Sequence, residues 1–173
     1  RIGDGSRAEN SAEHSWHIML YAWILGEHAH EEIDIARVLH MLLLHDIVEI
    51  DAGDPPIHEA QDPAVQAAQE VREQLAAERL FGLLPSDQGR VFHQIWTEFE
   101  AAESPDAVFA KSIDRVQPVL LNLLNGGGSW IDYDVSLAQV EARVGVKVSR
   151  GAPEVWNYVR AEITPWFKAA GRH

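Results

Sequence analysis

The chain has 173 residues, 46% of them apolar, and a formal net charge of −13. That length suits one domain with its own core, residues 1–173. The acidity argues against a nucleic-acid polymer as partner, although a small phosphate ester remains compatible once a metal and a few local cations reverse the field in one cleft. With no cysteine there are no disulfides and no thiolate chemistry. IMLYAWIL and VLHMLLL are too short for membrane spans, and RIGDGSRAEN lacks a signal pattern, so a cytoplasmic protein without membrane attachment is expected.

The apolar periodicity is helical almost throughout. A first helix starts at Asn10 or Ser11, with Asn10 as cap and Glu13 three residues on, and runs to HA at Ala29. Trp16, Met19, Leu20 and Trp23 recur at helical spacing and are expected to face the core. Asp34 caps a second helix that is apolar on nearly every face, is expected to be central, and stops at Gly53. A third spans Pro63–Phe81 with a solvated polar face. A fourth runs from Ser86 or Asp87 to Ala101. Ser104 and Pro105 open a fifth, which Pro118 is expected to kink. Gly126 to Gly128 break the chain as a turn, since no lysine or strand makes them a phosphate loop. A short helix over 134–145 and a last one from Pro153 close the chain, where Trp130, Trp156 and Trp166 serve core or interface.

The chemistry concentrates on four residues. His45 and Asp46 are adjacent within an apolar run, His14 lies one turn into the preceding helix, and Asp114 sits mid-way along the fifth. Buried charges are costly unless paired or bound to metal, and one divalent cation accounts for all four. Two imidazoles and two carboxylates suit Co, Mn, Fe, Zn or Ni better than Ca, with Mg a further candidate. Read singly, each has a bland explanation: a hydrogen-bonded core histidine, a salt-bridged aspartate, a chance dipeptide. Glu49, four residues after His45, falls on the same helix face and is expected to move protons; a support for a ligand histidine is the plainer alternative. Asp54 either reads a substrate hydroxyl or caps a turn. Arg7 and Lys111 are the candidate phosphate contacts. His17 has a claim to support the ligands, while His28, His30, His40, His58 and His93 are read as structural or solvated.

At these residues the chain resembles the HD-domain metal-dependent phosphohydrolases, whose His, His-Asp, Asp order is met by His14, His45-Asp46 and Asp114. RAENSAEHSW, HDIVEIDAGD and ESPDAVFAKSIDRV are similar to three motif blocks of the branch holding bacterial 5'-deoxynucleotidases and the HD-domain-containing-protein-2 group. The likeness covers residues 7 to 125, leaving 126–173 as C-terminal helices. It implies an all-α helical bundle around one divalent transition metal and a homodimer. It also implies release of phosphate from (deoxy)nucleoside 5'-monophosphates, with Glu49 as acid/base and Asp54 on the sugar. The branch often carries an upstream Arg-Trp pair that holds phosphate and base; this sequence starts too late for it or differs there, with only Arg1 available. Two alternatives are a phosphodiesterase or nucleoside tri- or tetraphosphate hydrolase of the same fold, and a non-catalytic metal-stabilised helical module. Few basic residues stand near the motifs, which favours a monophosphate.

Overall fold

The computed structural model describes residues 1–53 and 63–172, and among them every regular element is helical. Helix α1 (Ser11–Leu25) opens on the expected box: Asn10 Oδ1 accepts from the Glu13 amide at 3.0 Å, and the Glu13 carboxylate accepts from the Asn10 amide. It stops at Leu25, earlier than the expected Ala29, and a 3-10 turn over Gly26–His28 follows, in keeping with the poor helix propensity of glycine. Helix α2 (Ile35–Leu44) starts where the Asp34 side chain accepts from the Ala36 and Arg37 amides.

The expected continuous helix to Gly53 is interrupted. His45–Val48 form a 3-10 turn, and a short α3 (Glu49–Ala52) completes the run before Gly53. The cause lies in the His45 ring, whose Nδ1–H donates to the Leu42 carbonyl at 2.9 Å and competes for an acceptor that a regular helix gives to the Asp46 amide. Helix α4 spans Pro63–Phe81 and α5 spans Ser86–Ala101, as the sequence predicts. Helix α6 (Pro105–Leu124) has Ser104 as cap and Pro105 in its first turn; it passes through Pro118 and ends at Leu124. Pro118 removes the amide that would bond the Asp114 carbonyl in a regular helix.

Gly126, Gly127 and Gly128 all take positive φ. A Cβ on Gly127, at φ +115°, would lie 2.1 Å from the Trp166 ring, so the turn requires glycine there. Beyond it comes α7 (Ser129–Asp132); the short helix expected over 134–145 is present from Leu137, as α8 (Leu137–Val140) running directly into a π-helical segment Glu141–Gly145 and on into α9 (Val146–Gly151), past its expected end. Helix α10 (Pro153–Ala169) closes the described chain.

The main core joins Ile18, Met41, Leu42, Phe109, Ile113, Val148, Ile163 and Phe167, so α1, α2, α6, α9 and α10 share one apolar interior. Helix α2 packs against α1, α5 and α6 and is central as expected, although Leu43 faces out. Trp130 and Trp156 are buried and Trp166 is partly so; the rings of Trp130 and Phe167 lie 4.7 Å apart, which places these tail aromatics in the core. A smaller cluster of Val48, Ala76, Ala77, Phe81 and Trp96 clamps the 3-10 turn against α4 and α5.

The inward face of α1 differs from the sequence reading. Ser15, Ile18 and Ala22 are buried, whereas Trp16 is 67% exposed, Trp23 is 71% exposed and Leu20 also faces out; of the four expected core residues only Met19 packs inward. The helix is apolar nearly all round, so periodicity alone did not identify its packed side. Small residues at 15 and 22 let α1 approach α2 and α6 closely. Among the described residues no helix is long and apolar enough to cross a membrane.

Candidate metal centre

Three elements converge on one point. The first turns of α1 supply His14, the end of α2 and its 3-10 turn supply His45 and Asp46, and α6 supplies Asp114. One ligand atom each from His14, His45 and Asp114 lies within 4.8 Å of the others. His14 Nε2 is 3.1 Å from Asp114 Oδ1, and His45 Nε2 is 3.7 Å from the same oxygen and 2.8 Å from Asp46 Oδ1.

His45 is buried, and its ring has one defined tautomer. A carbonyl only accepts, so Nδ1 carries the proton and Nε2 of the neutral ring presents a lone pair. That Nε2 is buried, and in the neutral ring its lone pair faces the Asp46 oxygen 2.8 Å away, acceptor against acceptor, with no donor among the described residues. A lone pair facing two carboxylates is unsatisfied by anything but a proton or a cation, and two imidazole nitrogens with two carboxylates are a donor set for a divalent transition metal. The residues present therefore fit the ion.

The electrostatics agree. Burial works against protonation of His14, but its hydrogen bond to Asp114 and the charges of Asp114, Asp46 and Glu9 outweigh it and lift the ring to about 9. His45 is likewise raised, its burial overcome by the carboxylates of Asp46 and Asp114. Burial would lift the Asp114 carboxyl, yet its bond to His14 and the positive charges of His45, His14 and Arg115 hold it below the usual range. The pocket favours concentrated positive charge between these carboxylates.

Glu9 and Gln117 form a layer that sequence reasoning missed. Glu9 Oε2 lies 3.5 Å from His14 Nδ1, on the ring edge away from Asp114. Gln117 is fully buried, and its amide donates to both Glu9 oxygens at 2.8 Å and sits 3.1 Å from His17 Nδ1. The only signal was spacing: Gln117 follows Asp114 by three residues on the same helix. His17 thus meets the layer behind the ligands.

A cleft of about 580 Å³ opens onto the cluster, lined by His14, His45, Asp46, Glu49, Lys111 and Asp114 among others. Glu49 reaches its wall although the continuous helix behind that expectation is broken; the tight turn carries it there. Lys111 Nζ is 2.9 Å from Glu100 Oε2 and 4.7 Å from the centre of the Phe99 ring. Arg7 does not line this cleft: its guanidinium is exposed and holds Glu13 in a two-pronged bridge, with one contact at 2.7 Å. Asp54 and His58 lie outside the described residues. Glu73 on α4 also lines the cleft; burial foremost, aided by the Glu100 charge, pushes its carboxyl up.

The sequence model of the HD domain matches residues 1–156. The chain belongs to the HD domain family. This HD domain is 26% identical over 114 residues to the 5'-deoxynucleotidase HDDC2 of Homo sapiens and 27% identical over the same length to that of Bos taurus. Each alignment takes in 66% of this chain and 53% of the relative, so the chain spans about half the length of the curated relatives it matches. The HD domain also superposes on a predicted metal-dependent phosphohydrolase from Magnetospirillum magnetotacticum with a TM-score of 0.88 and 45% sequence identity, covering 98% of this chain and 83% of that one.

Proposed function

We propose that this HD domain is a metal-dependent phosphohydrolase that releases phosphate from small phosphate esters, with (deoxy)nucleoside 5'-monophosphates as the first substrate class to test. The observation that carries it is the unsatisfied His45 Nε2 set among His14, Asp46 and Asp114 at the floor of an open cleft. In this reading those four residues hold the cation. When bound, a divalent transition metal supplies Lewis-acid withdrawal of charge from the phosphoryl group and makes water more acidic. Glu49 takes a proton from the attacking water and returns one to the departing ester oxygen, so the nucleophile forms as the P–O ester bond breaks. Lys111 offsets charge on the phosphoryl oxygens from the cleft wall. The nucleotide class is supported by the similarity to the HDDC2 enzymes.

The experiment is release of inorganic phosphate from deoxyribo- and ribonucleoside 5'-monophosphates and non-nucleotide esters, after chelation and reloading with Mn, Co, Mg or Zn. Release with a transition metal, abolished by chelator and in Asp46→Ala and His45→Ala, is expected. Full activity of Asp46→Ala with stoichiometric metal would overturn the assignment. Glu49→Gln is expected to keep its metal and lose turnover by at least about 100-fold.

The same reading includes a homodimer. Its support is the α1 stripe of Trp16, Leu20, Trp23 and Ile24, four large apolar side chains left exposed at spacings of one helix face.

A further inference from the structure

Three cations line the cleft and two more line a hollow beside it, in a chain with only 14 lysines and arginines against 27 acids. Lys111, Arg115 and Arg143 share the wall of the cleft that holds His14, His45 and Asp114. Lys111 and Arg115 also line an adjoining hollow of about 230 Å³, where Lys147 and Arg150 complete the wall. Helix α6, the π-helical segment and α9 bring these residues together from positions 111 to 150.

Their partners do not account for them. Lys111 bridges Glu100, and Arg150 reaches only the Ala102 carbonyl, at 3.4 Å. Arg115, Arg143 and Lys147 have no ion pair or hydrogen bond through their side chains among the described residues. Arg115 acts on Asp114, but that carboxylate is already bonded by His14. The charge of Arg115 foremost, with partial burial and the charge of Lys111, holds Lys147 below the usual lysine range. Glu100 also lines both the cleft and the hollow, but it is paired with Lys111, so the remaining cations outnumber the acids free to face them, which favours an anion among them.

We infer that Arg115, Arg143 and Lys147 form a second anion subsite, which takes a further phosphate group of the substrate while the first lies at the His/Asp cluster. This rests on the phosphohydrolase reading and narrows its substrate class to small molecules carrying two phosphoryl groups. The cleft and the hollow meet at Lys111 and Arg115, so one elongated ligand spans both. Sequence order hides the subsite, because Arg143 and Lys147 lie far from the three motif blocks: Arg143 reaches the cleft from the π-helical segment, and Lys147 lines the adjoining hollow from α9.

The test compares adenosine 5'-monophosphate with adenosine 3',5'-bisphosphate in the wild type and in an Arg143→Gln/Lys147→Gln double variant. A kcat/KM ratio favouring the bisphosphate by about 10- to 100-fold is expected, falling to near parity in the variant. Equal kcat/KM for the two esters in the wild type, or a preference that survives in the variant, would sink the subsite. Calorimetry with inorganic pyrophosphate on the metal-free proteins separates this from the parent reading. Binding to the wild type and not to the variant supports the subsite, and no binding to the wild type overturns it. Pyrophosphate binding with no phosphate release from any ester, under any metal, leaves the subsite standing and removes the phosphohydrolase reading.

Discussion

The His14 ring is held between two carboxylates, Asp114 at 3.1 Å on Nε2 and Glu9 at 3.5 Å on Nδ1. Glu9 is thus placed to act through His14, favouring the proton on Nδ1 and leaving Nε2 for the cluster, and Gln117 holds Glu9 in turn. Glu9→Gln keeps the shape and an acceptor for Gln117 but removes the charge. It is expected to weaken metal affinity by about 10- to 100-fold. Titration of the chelated protein with Mn or Co checks this, with the Tm of the metal-free protein as control: a structural role would lower that Tm, and a positioning role would leave it. The four proposed ligands were legible in sequence because charged side chains in apolar helical runs need a reason to be there, and the structure brings His14, His45 and Asp114 within 4.8 Å of one another. Glu9 was not, because an acid next to a capping asparagine on an exposed approach reads as surface. Arg7 misled in the opposite sense: its position before α1 suggested a phosphate contact, and the structure places it against Glu13, whose carboxyl it holds at about 2, well below the usual range, with the Asn10 backbone hydrogen bond assisting.

Caps carry sequence information locally, and the starts of α1, α2 and α6 fall where Asn10, Asp34 and Ser104 place them. Interruptions do not, because they come from contacts made only in the folded chain. The break at His45 needs the ring to take the Leu42 carbonyl, and the π-helical segment at Glu141–Gly145 gives no periodic signal. The join between α9 and α6 shows how tightly such elements set the site. Gly151 ends α9, and a Cβ there would lie 2.5 Å from Ser112 Oγ and 2.6 Å from the Val108 carbonyl oxygen, both on α6. Backbone cannot swing aside as a side chain can. At a helix end, moreover, the propensity gain of alanine is small, so the clash prevails. Gly151→Ala is expected to cost about 1–3 kcal/mol, seen as a Tm lower by about 3–10 °C in a thermal melt. An unchanged Tm would mean that α9 is not pressed on α6 as described. Since α6 also carries Asp114, the variant is expected to bind metal more weakly as well.

At the scale of the molecule, the all-α class was readable from composition and period, but which surfaces meet solvent was not. Helix α1 is apolar on both its packed and its outer sides, and the folded chain leaves Trp16, Leu20, Trp23 and Ile24 uncovered. A stripe of this kind on a strongly acidic protein has two opposing tendencies. Burying it against a second copy removes large aromatic area from water at about 25 cal/mol per Å². Bringing two chains of net charge −13 together costs Coulomb energy that salt screens within about 10 Å at 0.1 M. The proposed dimer is therefore expected to tighten as ionic strength rises, the reverse of an interface held by ion pairs. Sedimentation equilibrium across 0.02–0.5 M NaCl, taken as a range bracketing Debye lengths of about 20 to 4 Å, reads this directly. Trp23→Glu places a charge in the stripe without touching the core and is expected to shift the dimer to monomer at every salt concentration, with metal content unchanged. A wild-type protein that sediments as a monomer throughout would show that α1 is not a self-association face, and a dimer that persists in Trp23→Glu would place the contact elsewhere.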